Sequence, residues 1–129
     1  MATFSFELVS PERVLFSGNV TEVVVPASEG EITVLANHAP FMSALRAGIV
    51  TVDNAKRLFV RGGFADISAA GLTLLAEQAI PVEEINVEKL ASDIKNAEED
   101  LRDAKTDEAK AKAVATLEGL RTMQAVVRN

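Results

Sequence analysis

Few residues in this chain could do covalent or acid–base chemistry. His38 is the sole imidazole, so a Ser-His-Asp relay or a histidine acid–base pair would have to use it. Glu29 and Glu31 lie a few positions upstream, and paired carboxylates near an imidazole are raw material for proton transfer. Their setting is plain: Ala36-Asn37-His38-Ala39-Pro40 reads as a loop, and isolated acids on a loop are ordinary surface. The absence of cysteine excludes disulfides, zinc–thiolate sites, iron–sulfur clusters and thiol nucleophiles. One histidine excludes a multi-histidine metal centre. Arg61-Gly62-Gly63-Phe64 has neither Walker nor dinucleotide-binding spacing, and its glycines predict a bulge or tight β-turn. No catalytic, cofactor or metal residue is assigned. The chain is better furnished for binding or regulation than for catalysis, with an enzyme using His38 and Glu31 as the remote alternative.

Two kinds of sequence must position these residues, and they meet near Pro81. With 129 residues, 48% of them apolar, the chain can bury a core. Residues 1–80 hold every Phe, and every Gly except Gly119. Runs such as Thr3-Phe4-Ser5-Phe6-Glu7-Leu8, Val20-Thr21-Glu22-Val23-Val24-Val25, Ile32-Thr33-Val34-Leu35 and Gly48-Ile49-Val50-Thr51-Val52 alternate or cluster apolar residues. Ser10-Pro11-Glu12, Ser17-Gly18-Asn19, Asn37-His38-Ala39-Pro40 and Asp53-Asn54 read as breaks between strands. Arg57–Arg61, Phe64–Ser68 and Gly71–Ala76 complete the series. The expected fold is a mainly β sandwich of about nine to ten short strands over residues 1–82, followed by an antiparallel two-helix hairpin over 83–129.

The hairpin is predicted from spacing. Val87, Leu90, Ile94, Ala97, Leu101 and Ala104 recur at intervals of three and four, and Ala109, Ala113, Leu117 and Leu120 continue one apolar face after a cap at Thr106. Alanine and leucine dominate this seam, so it buries modest area and is weakly held. Charge divides along it. Residues 81–108 carry four basic and ten acidic side chains, whereas 109–129 carry four basic and one acidic. The two helices complement each other, and an opened hairpin would offer a basic helix to an acidic partner.

The overall charge of −6 argues against nucleic acid as a partner, which would need a basic face. No apolar run approaches the roughly 18 residues needed to cross a bilayer. The opening Met1-Ala2-Thr3-Phe4-Ser5-Phe6-Glu7 has no basic region and no long apolar stretch, so no signal peptide is predicted and the cytoplasm is the expected location.

Six ordered segments carry a resemblance. They are Leu8-Val9-Ser10-Pro11-Glu12-Arg13, Phe16-Ser17-Gly18, Ser28-Glu29-Gly30-Glu31, His38-Ala39-Pro40, Leu45-Arg46-Ala47-Gly48-Ile49 and Val60-Arg61-Gly62-Gly63-Phe64-Ala65. In this order and spacing, with a helical tail behind them, the chain resembles the epsilon subunits of bacterial F-type ATP synthases over essentially its full length. The resemblance implies a non-catalytic part of the rotary central stalk, coupling proton flow through the c ring to ATP synthesis in the catalytic head. The implied partners are the gamma subunit, the ring of c subunits and the alpha/beta head. Membrane association would be peripheral and indirect, on the cytoplasmic face of the inner membrane. Glu29, Glu31 and His38 are carried over as contacts to the c ring. The family's hairpin can open and block hydrolysis, and Lys110, Lys112, Arg121 and Arg128 are the residues here that would meet acidic surfaces of the beta subunit.

Some members of the family bind ATP on the folded hairpin, through a motif opening with Ile or Leu, Asp, two variable positions, Arg and Ala. The matching segment is Ile85-Asn86-Val87-Glu88-Lys89-Leu90, with Asn86 in place of the Asp, Lys89 in place of the Arg and Leu90 in place of the Ala. Losing the planar guanidinium removes bidentate and stacking contacts, so weak or absent ATP binding is expected and no cofactor is assigned. A small adaptor or chaperone-like module with a coiled-coil arm fits the composition equally well, but does not account for six motifs in order.

Overall fold

Alternating apolar residues in the first part of the chain assemble eight strands, and the helical spacing of the second part assembles two helices. A computed structural model describes residues 2–128, the side chain of Arg128 excepted. The chain divides between Val82 and Glu83 into two units. The first contains β1 (Phe4–Val9), β2 (Val14–Val20), β3 (Val23–Ala27), β4 (Gly30–Val34), β5 (Phe41–Ala44), β6 (Gly48–Val52), β7 (Lys56–Ser68) and β8 (Gly71–Pro81). The second contains α1 (Val87–Asp103) and α2 (Asp107–Arg128). No helix among the described residues is long and apolar enough to cross a membrane.

The strands form one hydrogen-bonded path, β2-β1-β8-β7-β6-β3-β4, with β5 added beside β7. The long pair β7–β8 belongs to both layers of the sandwich. Leu72–Leu75 of β8 pair with β1, and Phe64–Ile67 of β7 pair with β5. Lys56–Val60 of β7 pair instead with β6, which leads on to β3 and the edge strand β4. Between the layers lie Phe6, Leu8, Val20, Val23, Val25, Val34, Val50, Leu58, Val60, Ala65, Leu72 and Leu74, all essentially inaccessible to solvent.

Gly62 and Gly63 let β7 change layers without breaking. Before them Leu58 and Val60 face the core, and after them Ala65 and Ile67 do, so the inside parity switches from even to odd. The ladder to β8 keeps one register throughout, from Leu58↔Pro81 to Ser68↔Gly71. What inverts the alternation is backbone: Gly62 and Gly63 have φ of 72° and 95°, values that L side chains rarely adopt. Arg57–Arg61 and Phe64–Ser68, predicted as separate strands around a bulge or turn, are therefore one strand with a kink. This merger lowers the strand count toward the eight observed.

Two other local expectations yield to tertiary pairing. Ser17-Gly18-Asn19, predicted as a turn, lies inside β2, opposite Glu7, Phe6 and Ser5 of β1. The ladder outweighs the turn preference of three polar residues at a sheet edge. Phe41–Ala44, too short to stand out in the sequence, forms β5 because β7 offers it a partner.

The chain changes direction instead at Thr21-Glu22, and one carboxylate holds that corner. Asp53 Oδ1 accepts from Thr21 N at 2.8 Å, Thr21 Oγ1 at 2.8 Å and Glu22 N at 3.0 Å. Asp53 and Asn54 take left-handed φ of 52° and 60° to turn β6 into β7, a conformation their short polar side chains tolerate. The hydrogen bonds from Thr21 and Glu22 hold the Asp53 carboxyl below the ordinary carboxylate range. A lowered folded pKa means stability that is present above the unfolded value, near pH ~3.9, and is lost as pH falls through the folded value. Asp53→Asn keeps an acceptor and tolerates the turn but removes the charge. Urea midpoints should therefore differ most between the variant and the parent at neutral pH, and the gap should close below about pH 4. A gap independent of pH would show that charge on Asp53 plays no part.

In the second unit Asn86 caps α1, its Oδ1 accepting from Lys89 N at 3.0 Å. Thr106 caps α2 in the same way, its Oγ1 accepting from Ala109 N at 3.0 Å. Leu90, Ala97, Ala113, Leu117 and Met123 are buried in this unit, while Ile94, Leu101, Ala104 and Leu120 are half-buried. Val87 and Ala109, also assigned to the seam by spacing, are exposed in the first turns of their helices.

Candidate functional site

Cross-strand register on the outer face of one layer aligns a row of apolar side chains. Ala44 of β5 pairs with Phe64 of β7, Phe64 with Leu75 of β8, Leu75 with Val9 of β1, and Val9 with Val14 of β2. Directly opposed residues of neighbouring strands point to the same face, so these five form one ridge, about 20 Å long at about 4.8 Å per strand. It is uncovered at its centre and end: Phe64 is 50% exposed, Leu75 46% and Val14 58%. Met42, 65% exposed, stands one step along β5 on the same face. Apolar surface arranged in register across five strands is what a partner needs to exclude water along a line.

Two local devices shape the ridge. The Ser10–Arg13 turn is closed by Ser10 N donating to the Arg13 carbonyl at 2.9 Å and Arg13 N donating to Ser10 Oγ at 3.3 Å. This turn and the register shift between Leu8 and Val9 bring Val9 opposite Val14. The kink at Gly62-Gly63 then sets Phe64 outward, beside an open cleft lined by Val9, Pro11, Phe64, Leu75 and Glu77. The rim is acidic: Asp66 and Glu7 occupy the neighbouring row, and Glu77 borders the cleft.

None of these ridge residues was assigned a role from sequence. A signal is present, however. Leu8-Val9, Phe64-Ala65 and Leu74-Leu75 are adjacent apolar pairs, and only one member of each pair can face the core between the layers.

The residues singled out by chemistry lie elsewhere. Glu29 sits at the turn between β3 and β4, and Glu31 lies on β4, opposite Pro26. His38 lies past the other end of β4, and the three extended steps from Glu31 to Val34 alone cover about 10 Å. The three thus line the edge strand β4 and the loop beyond it, in the layer opposite the ridge, and all three are exposed. No carboxylate is hydrogen-bonded to His38 among the described residues. Its Nδ1 lies 2.8 Å from the Ala39 carbonyl, and its ring meets Phe41 edge-on with centroids 6.5 Å apart. In the neutral ring Nδ1 therefore donates, and Nε2 keeps the free lone pair. That arrangement suits a contact residue and lacks the orienting carboxylate of an acid–base relay.

On the hairpin, Lys110 and Lys112 are exposed, and no ion pair involves either among the described residues. Arg121 is engaged across the hairpin, with Nη2 donating to Glu98 Oε2 at 3.1 Å. Arg128 ends α2, and its side chain lies outside the described residues. The segment compared with the ATP motif is occupied by its own chain. Asn86 is committed to capping α1, and Lys89 Nζ lies 3.4 Å from Asp93 Oδ2 one turn further on.

Residues 3–82 match the family described as ATP synthase, Delta/Epsilon chain, beta-sandwich domain. The chain is 55% identical over 124 residues to the ATP synthase epsilon chain of Maricaulis maris, covering 94% of this chain and 93% of that one. It is 46% identical over 127 residues to the ATP synthase epsilon chain of Parvibaculum lavamentivorans, covering 95% of this chain and 96% of the other. Among solved structures it superposes, with a TM-score of 0.82 and 24% identity, on a chain of the Euglena gracilis mitochondrial ATP synthase assembly of OSCP, F1 and c-ring, covering 98% of this chain and 82% of that chain. A chain from the central stalk and c-ring of the Tetrahymena thermophila enzyme gives 0.71 at 12% identity, covering 97% and 96%. At these identities the structural likeness is one of fold. The sequence relatives span sandwich and hairpin alike, and the chain belongs to the ATP synthase delta/epsilon chain family.

Proposed function

We propose that this chain is the epsilon subunit of a bacterial F-type ATP synthase, a non-catalytic member of the central stalk that couples proton flow through the c ring to ATP synthesis in the catalytic head. The observation that carries the reading is the uncovered apolar ridge on a stiff sandwich, in a chain whose full-length relatives are ATP synthase epsilon chains. The ridge is the face offered to the gamma subunit. The edge carrying Glu29 and Glu31, together with the His38 loop, faces the polar loops of the c ring, where their roles are electrostatic and geometric. The two contact faces belong to opposite layers, so a subunit gripping gamma with one keeps the other free. The protein sits peripherally on the cytoplasmic side of the inner membrane, held there by the complex.

The hairpin is the regulatory part. Its seam has few large side chains, which suits a switch whose two states must lie within a few kcal/mol of each other. Opened, it presents Lys110, Lys112, Arg121 and Arg128 to an acidic surface of the beta subunit and slows hydrolysis. ATP binding by it is weak or absent, because Asn86 and Lys89 replace the motif's Asp and Arg, Asn86 caps α1 and Lys89 lies near Asp93 on the same helix.

A catalytic head depleted of this subunit, titrated with the full chain and with residues 1–82 alone, tests the reading. Both should bind, and only the full chain should slow ATP hydrolysis. Calorimetry on the same full chain should find no micromolar affinity for ATP. Failure of both chains to bind gamma would favour an adaptor-like module and end the central-stalk reading.

A further inference from the structure

The closed hairpin already contains the chemistry that its basic helix would seek elsewhere. Glu98 on α1 and Arg121 on α2 form the cross-helix ion pair at 3.1 Å, and the other described pair in this unit, Lys89–Asp93, stays within α1. The Glu98 and Arg121 side chains are 50% and 58% exposed, so the pair lies at the outer rim of the seam, where either group can turn to solvent or to a partner. Behind it the seam offers mostly small contacts, with Leu90, Leu117 and Met123 the large side chains that are buried.

We propose that Glu98 is an internal rival of the acidic partner surface. It holds Arg121 while the hairpin is closed and must release it before the basic helix can act outside the chain. In the closed hairpin Arg121 Nη2 is given to Glu98 and its charge is paired there, so an external carboxylate must compete with Glu98 for this residue. Glu98 thereby sets the balance between the closed and open hairpin. The proposal rests on the reading of the hairpin given above, but its first step is internal to the chain and is measured there.

The test uses the full chain, which has no cysteine of its own, with spin labels on cysteines introduced at the exposed positions Ser92 and Ala125. Distances between the labels report the open fraction. Glu98→Gln keeps the shape and helix propensity of the side chain and removes its charge. It should raise the open fraction between about 1.5-fold and 5-fold, the range set by an exposed ion pair. Salt should open the parent hairpin as the screening length falls from about 8 Å at physiological ionic strength to about 3 Å at 1 M, and should open the variant by a smaller factor, because the remaining charges of the two helices still complement each other. The exchange Glu98→Arg with Arg121→Glu should restore closure, which a mere loss of helix stability in α1 would not allow.

In the hydrolysis assay Glu98→Gln should strengthen the hairpin-dependent slowing by a similar factor, and the exchanged pair should weaken it. Unchanged distances in Glu98→Gln would overturn the proposal outright. Distances that lengthen while hydrolysis stays the same would uphold the latch and overturn the acidic partner instead.

Discussion

Phe64→Asp should weaken binding to the gamma subunit at least 100-fold while leaving the sandwich folded. Phe64 is the aromatic member of the ridge, between Ala44 and Leu75, and half of its surface is open. A carboxylate there costs little in the free protein, because water reaches it. In the complex it would be desolvated against apolar neighbours, with Asp66 and Glu77 close by to repel it. Truncation of an aromatic anchor alone removes about 2 kcal/mol or more, and the buried charge adds to that. A hundredfold loss corresponds to about 2.7 kcal/mol. Leu35→Asp is the control. Leu35 is 52% exposed, but on the loop beyond β4 and away from the ridge, so its replacement should leave affinity for gamma unchanged. Calorimetric titration of each variant against isolated gamma, with thermal unfolding run beside it, decides the matter. Equal affinities for Phe64→Asp and the parent would remove the ridge from the interface.

The second large effect is on stability. Gly63→Ala should cost about 3–5 kcal/mol, a large share of the roughly 5–15 kcal/mol that holds an ordinary domain together. Its φ of 95° strains any L residue, and a Cβ would run into the Leu75 carbonyl oxygen on the neighbouring strand. Backbone of the paired strand cannot swing aside as a side chain can. Gly30→Ala separates the two causes. Gly30 has a φ of 138° and nothing within 4 Å of where a Cβ would sit, so that variant bears the backbone strain alone, about 1–3 kcal/mol. Urea unfolding of both variants should rank Gly63→Ala as the more damaging. Equal losses would mean that the clash relaxes.

The kink at Gly62-Gly63 also marks where reading the sequence works and where it stops. A sandwich followed by a hairpin is legible from period: two in Thr3–Leu8, three and four from Leu90 to Leu101. Such periods survive because each strand or helix must bury one face whatever its neighbours are. The kink at Gly62-Gly63 is legible only as an irregularity, since one sequence pattern serves a bulge, a turn and a change of layer. Deciding among them requires knowing that β7 has β5 beside one half and β6 beside the other. The ridge is harder still. Val9 is 55 positions from Phe64 along the chain and further still from Leu75, and only register brings the three into line. Arg121 was legible as a cation on a basic helix, but its commitment to Glu98 depends on how two helices are rotated about their axes, which spacing alone leaves open.

The long pair β7–β8 has a mechanical consequence. In a sandwich of two separate sheets, the layers meet only through side chains, and a sideways force can slide one over the other at the cost of repacking. Here the backbone itself crosses from layer to layer at Gly62-Gly63, with its ladder to β8 in register on both sides. The structure has no slip plane along that line. A tangential load applied at the ridge must stretch hydrogen bonds and bend peptide geometry before it can shear the core, so the two faces turn as one piece.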